Sequence, residues 1–465
     1  MEARSLRYVV SACGGLLKGG SLQTQVRSVC TDSRRIQAGD LFFALEGERF
    51  DGHQFLTEAA AKGVAAIVAA RNKVPADFSG CAVITVEDTR KALGRLAAAY
   101  RADFTLPITA VGGSNGKTTT KELAASVLRQ KLQTLWSEAS FNNDIGVPVT
   151  LLKLEASHQA AVMEVGTNHP GEMAPLLQMI QPCYGIITSI GREHLEFFGD
   201  VVGVAREQGS LAEVLPAEGK LFVPGDNEWT QRIIERSRAS VVRIGCLPAN
   251  EWRISGLRPD KSGVTFRVDA PTAEFTGEYR IHLLGSHQAV SAVLALALGA
   301  EVGLDRAASE RGLADCQPAK MRLQLWEHNG VRVLDDAYNA NADSMLAALQ
   351  TLQELPCKGR RVAVLGDMAE LGVHSEAAHA EVGRRAAELG IGQLFAVGKM
   401  APVMGRAARS AGLNRVFEFE DVETAAAAVK SFVKQGDILL LKASRASRLE
   451  RVSERLRRGE NGRAH

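Results

Sequence analysis

The chain has 465 residues, 46% hydrophobic and 23% charged, enough for two to four globular domains. Its 55 Lys and Arg nearly balance 53 Asp and Glu, for a net charge of +2, which excludes a bulk field that would recruit nucleic acid or an anionic membrane. Seven scattered cysteines lack metal-site spacing and read as reduced thiols of a cytoplasmic protein; no apolar run approaches the ~18–20 residues of a membrane span, so no membrane insertion is expected.

Arg4 and Arg7 precede an apolar stretch, 8–17, that loosely imitates a secretion signal. Two glycines interrupt it and Lys18 closes it, so it reads as the first folded element. Short strands and polar loops fill the first 85 residues, with turns at 31–35 and 47–53. A helical pattern from 88 to about 100 then leads to Pro107, which puts a domain boundary near residue 86.

An apolar run, 108–111, is followed by Gly113-Ser114-Asn115-Gly116-Lys117-Thr118-Thr119-Thr120 and by a helical pattern with Leu123, Val127 and Leu128 on one face. Strand, glycine turn and helix opening with Lys-Thr describe a cradle for a nucleoside triphosphate. Glycines let backbone N–H groups converge on phosphate oxygens, and the helix N-terminus adds partial positive charge. Lys117 is placed to reach terminal phosphates, and the Thr118 hydroxyl to hold Mg²⁺. Val111 stands where the strict motif has its first glycine, which assigns the loop to a shorter variant.

The middle third alternates strands and helices. Residues 160–165 form a buried strand ending at Glu164, and 184–190 another, followed by Gly191-Arg192-Glu193-His194. A more polar, strand-like stretch, 252–284, precedes a helix beginning around His287. From about Gln317, apolar strands at 331–334, 361–365, 394–397 and 438–441 alternate with Ala-rich helices, the pattern of a doubly wound unit. The C-terminal stretch 448–463 is basic, with Leu449, Val452 and Leu456 at helical spacing, and reads as a terminal helix packed by one face. The fold class is α/β, in three domains: a mixed α/β domain over 1–85, a central P-loop ATPase-like domain over 86–316 and a Rossmann-like domain over 317–465.

Open α/β sheets bind ligands beyond their strand ends, where polar residues cluster here. Glu164 and His194, taken singly, read as a solvated strand end and a structural histidine; taken with Thr118 they make a set suited to Mg²⁺. The segment Asp335-Asp336-Ala337-Tyr338-Asn339-Ala340-Asn341 is denser in hydrogen-bonding groups than a turn and helix cap require. Upstream, Arg322 is either a surface residue or a planar clamp for phosphate.

These motifs resemble those of the Mur ligase family along nearly the whole chain. TDSRRIQAGDLFFALEGERFDGH is similar to the family's uridine-nucleotide region, GSNGKTTTKE to its ATP loop, and SFNNDIGVP to the loop after it. MEVGTNHPGEM and ITSIGREHLEFFG are similar to its metal and phosphate segments. DDAYNANADSM and VLGDMAELG look like those of the member that joins D-alanyl-D-alanine to UDP-N-acetylmuramoyl-tripeptide in peptidoglycan synthesis, and they argue against a folylpolyglutamate synthase.

The resemblance implies an ATP- and Mg²⁺-dependent ligase acting through an acyl phosphate, as a cytoplasmic monomer. It places Ser33, Arg34, Asp51 and His53 at the UDP-sugar, and Asn142, Asn143, Asn339 and Asn341 near phosphates or substrate. Gly113, Ser114, Asn115, Gly116, Lys117, Thr118, Thr119, His287, Arg322 and Asp336 bind the nucleotide; Thr118, Glu164 and His194 hold Mg²⁺; Lys117, Glu164, His194 and Arg322 serve catalysis.

Three departures stand out. Gln208 lies where the family has a carbamylated lysine supporting a second ion, and no lysine occurs between Lys153 and Lys220. Either Glu207 supplies the anion or a second ion is held loosely. Gln288 and Ser291 replace two asparagines of the family's helix motif, and Ala443 stands in a turn where the family has glycine.

Overall fold

The computed structural model describes residues 1–47 and 50–457; Glu48, Arg49 and 458–465, parts of the expected N-terminal loop and C-terminal helix, lie outside the described residues. Among the described residues, a five-stranded sheet lies in the N-terminal third, a nine-stranded sheet in the middle and a six-stranded sheet in the C-terminal third. A two-stranded pair, Arg4–Ser5 with Gln25–Val26, flanks the first. No helix is long and apolar enough to cross a membrane among the described residues.

The apolar N-terminal stretch forms the helix Leu6–Cys13, capped by the Ser5 side chain and ended by Gly14 at φ +64°, and then the strand Leu16–Lys18. The left-handed turn at Gly14 separates the two elements. Helix Thr89–Ala102 is capped by Asp88, which accepts from the Lys91 N–H at 3.0 Å. With Leu93, Leu96 and Tyr100 buried, it packs against helix Leu6–Cys13 and also against helices Gly146–Leu151 and Met173–Ile180. That helix therefore carries the N-terminal sheet on the central unit.

In the central sheet, strand Ile108–Gly112 runs parallel between Ala160–Glu164 and Tyr184–Ile187. All three end on the same edge, where strand order reverses, so the phosphate loop, Glu164 and the 188–194 loop converge there. The expected strand 184–190 stops at Ile187. Gly113, at φ +116°, turns its neighbour away, and from Thr188 onward the backbone pairs with that loop: Ser114 donates to the Ser189 carbonyl at 2.8 Å. The polar stretch 252–284 forms the strands Trp252–Asp260, Gly263–Asp269 and Gly277–Ile281, joined antiparallel at the sheet edge.

The C-terminal sheet runs parallel from Val331–Asp335 through Ile438–Lys442, Arg361–Gly366 and Gln393–Val397 to Val416–Phe419, with Gln324–His328 antiparallel at its edge. The terminal helix is Glu450–Arg457 in the described residues, with Val452 and Leu456 buried. Ala443 keeps ordinary backbone angles, since it is not among the described residues with positive φ. The close approach occurs instead at Gly366, where a Cβ would stand 2.7 Å from that of Ala443.

Candidate active site

The phosphate loop has the shape its glycines allow. At Gly113 an added Cβ would lie 2.4 Å from the Thr188 hydroxyl. Gly116, at φ +83°, starts helix Lys117–Leu128 without a side-chain cap, leaving the first-turn N–H groups of that helix for an anion. The Lys117 ammonium donates to the carbonyls of Gly113 (2.5 Å) and Ser114 (3.2 Å) and to Glu193 Oε2 (3.3 Å).

Glu164 is 1% exposed. Its Oε1 accepts from the Asn142 amide at 2.9 Å, while the buried Oε2 has no partner. Thr118 shares a hydrogen bond with Ser140 at 3.3 Å. His194, at φ +48°, pairs through Nδ1 with Glu370 of the C-terminal unit, and this bond holds the Glu370 carboxyl below its ordinary range. Asn143 caps the next helix, accepting from Gly146 N–H at 2.9 Å.

Across the cleft, Arg322 stacks on Tyr338, 4.1 Å from the ring centroid. Asp336 accepts from Leu323 N–H at 3.1 Å and from the buried Lys442 ammonium at 2.5 Å. Burial pushes the Lys442 amine down, against the opposing pull of Asp336. Desolvation likewise lowers His287 on the cavity wall, with Asp336 and Glu354 pulling the other way. Asn341 caps helix Ala342–Glu354 and also reaches the phosphate loop, donating to Asn115 Oδ1 at 3.0 Å.

These groups surround one cavity of 690 Å³. Of the residues expected at the nucleotide, metal and substrate, Ser114, Asn115, Gly116, Lys117, Thr118, Thr119, Asn142, Asn143, Glu164, His194, His287, Arg322, Asp336, Asn339 and Asn341 line it. Gly113 lies just behind, its N–H donating to Gln208 Oε1 at 2.7 Å. Ser33, Arg34, Asp51 and His53 are not brought there. Arg34 is paired with Asp32 at 2.8 Å in an exposed turn, and His53 bridges Asp51 (2.6 Å) and the Ala70 N–H (2.9 Å).

Neither alternative ligand at 207–208 reaches the cavity. Glu207 accepts from the N–H groups of Gly171 and Met173, each at 2.8 Å. Gln208, 1% exposed, has its oxygen on Gly113 and its amide N–H on Glu193 Oε1 at 3.1 Å. Sequence reasoning left Glu193, Glu370 and Lys442 without roles, although Glu193 and Glu370 lie in quoted motifs and Lys442 precedes Ala443. Their partners are 76, 176 and 106 residues away, so no local spacing announces them.

Family models match in chain order: the Mur ligase family catalytic domain over residues 25–101, the Mur ligase middle domain over 111–299 and the Mur ligase glutamate ligase domain over 321–445. The UDP-N-acetylmuramoyl-tripeptide--D-alanyl-D-alanine ligase of Escherichia coli is 36% identical to this chain, covering 99% of it and 100% of the relative. The chain belongs to the Mur ligase family. The Bacillus subtilis enzyme of the same name is 33% identical, over 97% of this chain and 98% of its own length. Among solved members, MurF from Acinetobacter baumannii superposes with a TM-score of 0.89 at 31% identity, covering 98% of this chain and 99% of that one. MurF from Thermotoga maritima, solved in complex with ADP, gives a TM-score of 0.79 at 25% identity, over 94% and 99%. The Mur ligase fold thus extends over the chain, with the phosphate loop in the middle domain facing Arg322, Asp336 and Lys442 of the glutamate ligase domain.

Proposed function

We infer that this chain is an ATP-dependent ligase that joins D-alanyl-D-alanine to UDP-N-acetylmuramoyl-tripeptide in peptidoglycan precursor synthesis, acting as a cytoplasmic monomer. The observation that carries the reading is the single cavity in which an uncapped helix N-terminus and Lys117 face Arg322 and Lys442 from the opposite domain. The tripeptide carboxylate attacks the γ-phosphorus of ATP, forming an acyl phosphate and releasing ADP. The amine of D-alanyl-D-alanine then attacks that carbonyl carbon, loses a proton and expels phosphate. Such a phosphoryl transfer asks the protein for position and positive charge, supplied by the loop N–H groups, Lys117 and Arg322. Enclosure between domains keeps water from the acyl phosphate.

The donor set fits Mg²⁺. Glu164 Oε2 is a buried carboxylate oxygen without a partner, beside the Thr118 hydroxyl and His194 on the cavity wall. Among the described residues no group of three or more His, Cys, Asp or Glu side chains forms a cage, which suits an ion that keeps waters and phosphate oxygens in its shell. Bound there, Mg²⁺ would neutralise phosphate charge.

The test is phosphate release from ATP with Mg²⁺ and both substrates, with the product mass recorded. Release that requires both, with a gain of one dipeptide less water, establishes the reaction; no release, or release indifferent to the dipeptide, refutes it. A Lys117→Ala variant is expected to keep its fold by circular dichroism and lose turnover; normal turnover would remove the phosphate-loop assignment.

A further inference from the structure

Glu193 places a carboxylate in a cradle built for phosphate. It is 5% exposed, and its neighbour in space, Lys117, is the loop's only side-chain cation. Burying an unpaired carboxylate there would be costly, so its two bonds define what it does. Oε2 accepts from the Lys117 ammonium at 3.3 Å, and Oε1 accepts from the Gln208 amide at 3.1 Å. Gln208 in turn accepts from Gly113 N–H at 2.7 Å, and Lys117 donates back to the Gly113 carbonyl at 2.5 Å. The four groups form a closed ring of hydrogen bonds through the first glycine of the loop.

Each member has the chemistry its place requires. A residue at 208 must accept from a backbone N–H and donate to a carboxylate at once, which a primary amide does and a carboxylate or ammonium does not. The amide is 1% exposed and its oxygen packs onto the strand end at Gly112, where an added Cβ would lie 3.1 Å from Gln208 Oε1. Gln208 therefore fixes Glu193 with its second oxygen toward Lys117.

We propose that Glu193, held by Gln208, is a positioning residue that occupies Lys117 in the place of a nucleotide phosphate and releases it when the nucleotide enters. The proposal rests on the reading of this loop as the ATP cradle. Entering phosphates compete with Glu193 for the same ammonium, so the carboxylate weakens nucleotide binding while keeping Lys117 poised over the loop. On product release Glu193 recaptures the ammonium, which favours departure of ADP.

The test is equilibrium binding of ADP in EDTA, by calorimetry, to the wild-type chain and to Glu193→Gln, which keeps the Gln208 contact and removes the charge. The variant is expected to bind ADP about ten- to a hundredfold more tightly, the range of one charge-assisted hydrogen bond. In turnover its KM for ATP is expected to fall with no rise in kcat. Affinity that is unchanged or weaker, as a purely structural role for Glu193 would give, overturns the proposal. If the glutamine variant does not fold, Glu193→Asp, whose carboxylate falls short of Lys117, is expected to tighten ADP in the same direction, and unchanged binding there overturns it equally. A wild-type chain that binds no ADP would instead refute the cradle reading itself.

Discussion

Replacing Arg192 with alanine cuts a multidentate tie between the middle and C-terminal domains. Its guanidinium donates to Asp343 Oδ1 at 2.8 and 2.7 Å and to Glu381 at 2.5 and 3.4 Å. Asp343 sits in the first turn of helix Ala342–Glu354, two residues after the Asn341 that touches the 113–117 loop, so this tie seats the 335–341 segment over the candidate nucleotide site. Gly191 allows the approach: a Cβ there would stand 2.3 Å from Asp343 Oδ2. Fully buried, such charged hydrogen bonds would contribute about 1.5–3 kcal/mol each. The three side chains are 31%, 36% and 36% exposed, so solvent screening reduces the sum to about 2 kcal/mol. That magnitude shifts the closed-to-open ratio by about thirtyfold. The backbone N–H of residue 192 keeps its bond to Asp343 in the variant, and truncating arginine leaves the helix start intact. Small-angle scattering of Arg192→Ala should show a larger radius of gyration, and kcat/KM for ATP should fall about tenfold, with the thermal melt of each domain little changed. A scattering curve superimposable on the wild type, with kcat/KM unchanged, would refute the assignment of this tie as a closure contact.

Glu164→Gln should preserve the fold and the Asn142 contact while raising the half-activating Mg²⁺ concentration by about tenfold or more, read from phosphate release against Mg²⁺; an unchanged titration would exclude Glu164 from metal binding. A second prediction concerns pH. Burial lowers the His379 pKa, and the ring is held neutral, accepting from Met368 N–H at 3.0 Å and donating to the Ser375 carbonyl at 2.7 Å. Because the folded value lies below the unfolded ~6.5, the unfolded chain binds more protons in acid, and stability is lost as pH falls below about 6.5. Melts at pH 7.5 and 5.5 should show that loss, with a shallower slope in His379→Gln; an identical slope in the variant would assign the effect elsewhere.

Much of the architecture was legible in the chain because its signals are local. The apolar runs that became Ile108–Gly112, Ala160–Glu164, Val331–Asp335 and Arg361–Gly366 are buried on both faces of parallel sheets, so their composition alone marks them. Gly113 and Gly116 announce the loop because both take the positive φ that favours glycine, and at Gly113 a Cβ would also collide with Thr188. The 188–190 segment shows the limit: Thr188, Ser189 and Ile190 read as the end of a strand, yet with Gly113 turning away they have no strand to pair with and instead brace the loop.

Residue identity and short spacing therefore determined which groups could bind phosphate and Mg²⁺, since a Lys-Thr pair after glycines or a strand-end carboxylate carries its chemistry in its own few atoms. Tertiary structure alone decided which of them meet. Lys117 faces Glu193, His194 faces Glu370, Asp336 faces Lys442, and Gln208 supports the loop and does not line the cavity. Charge pairing depends on distance in space and not on separation along the chain, and those distances exist only once the sheets and domains have been brought together.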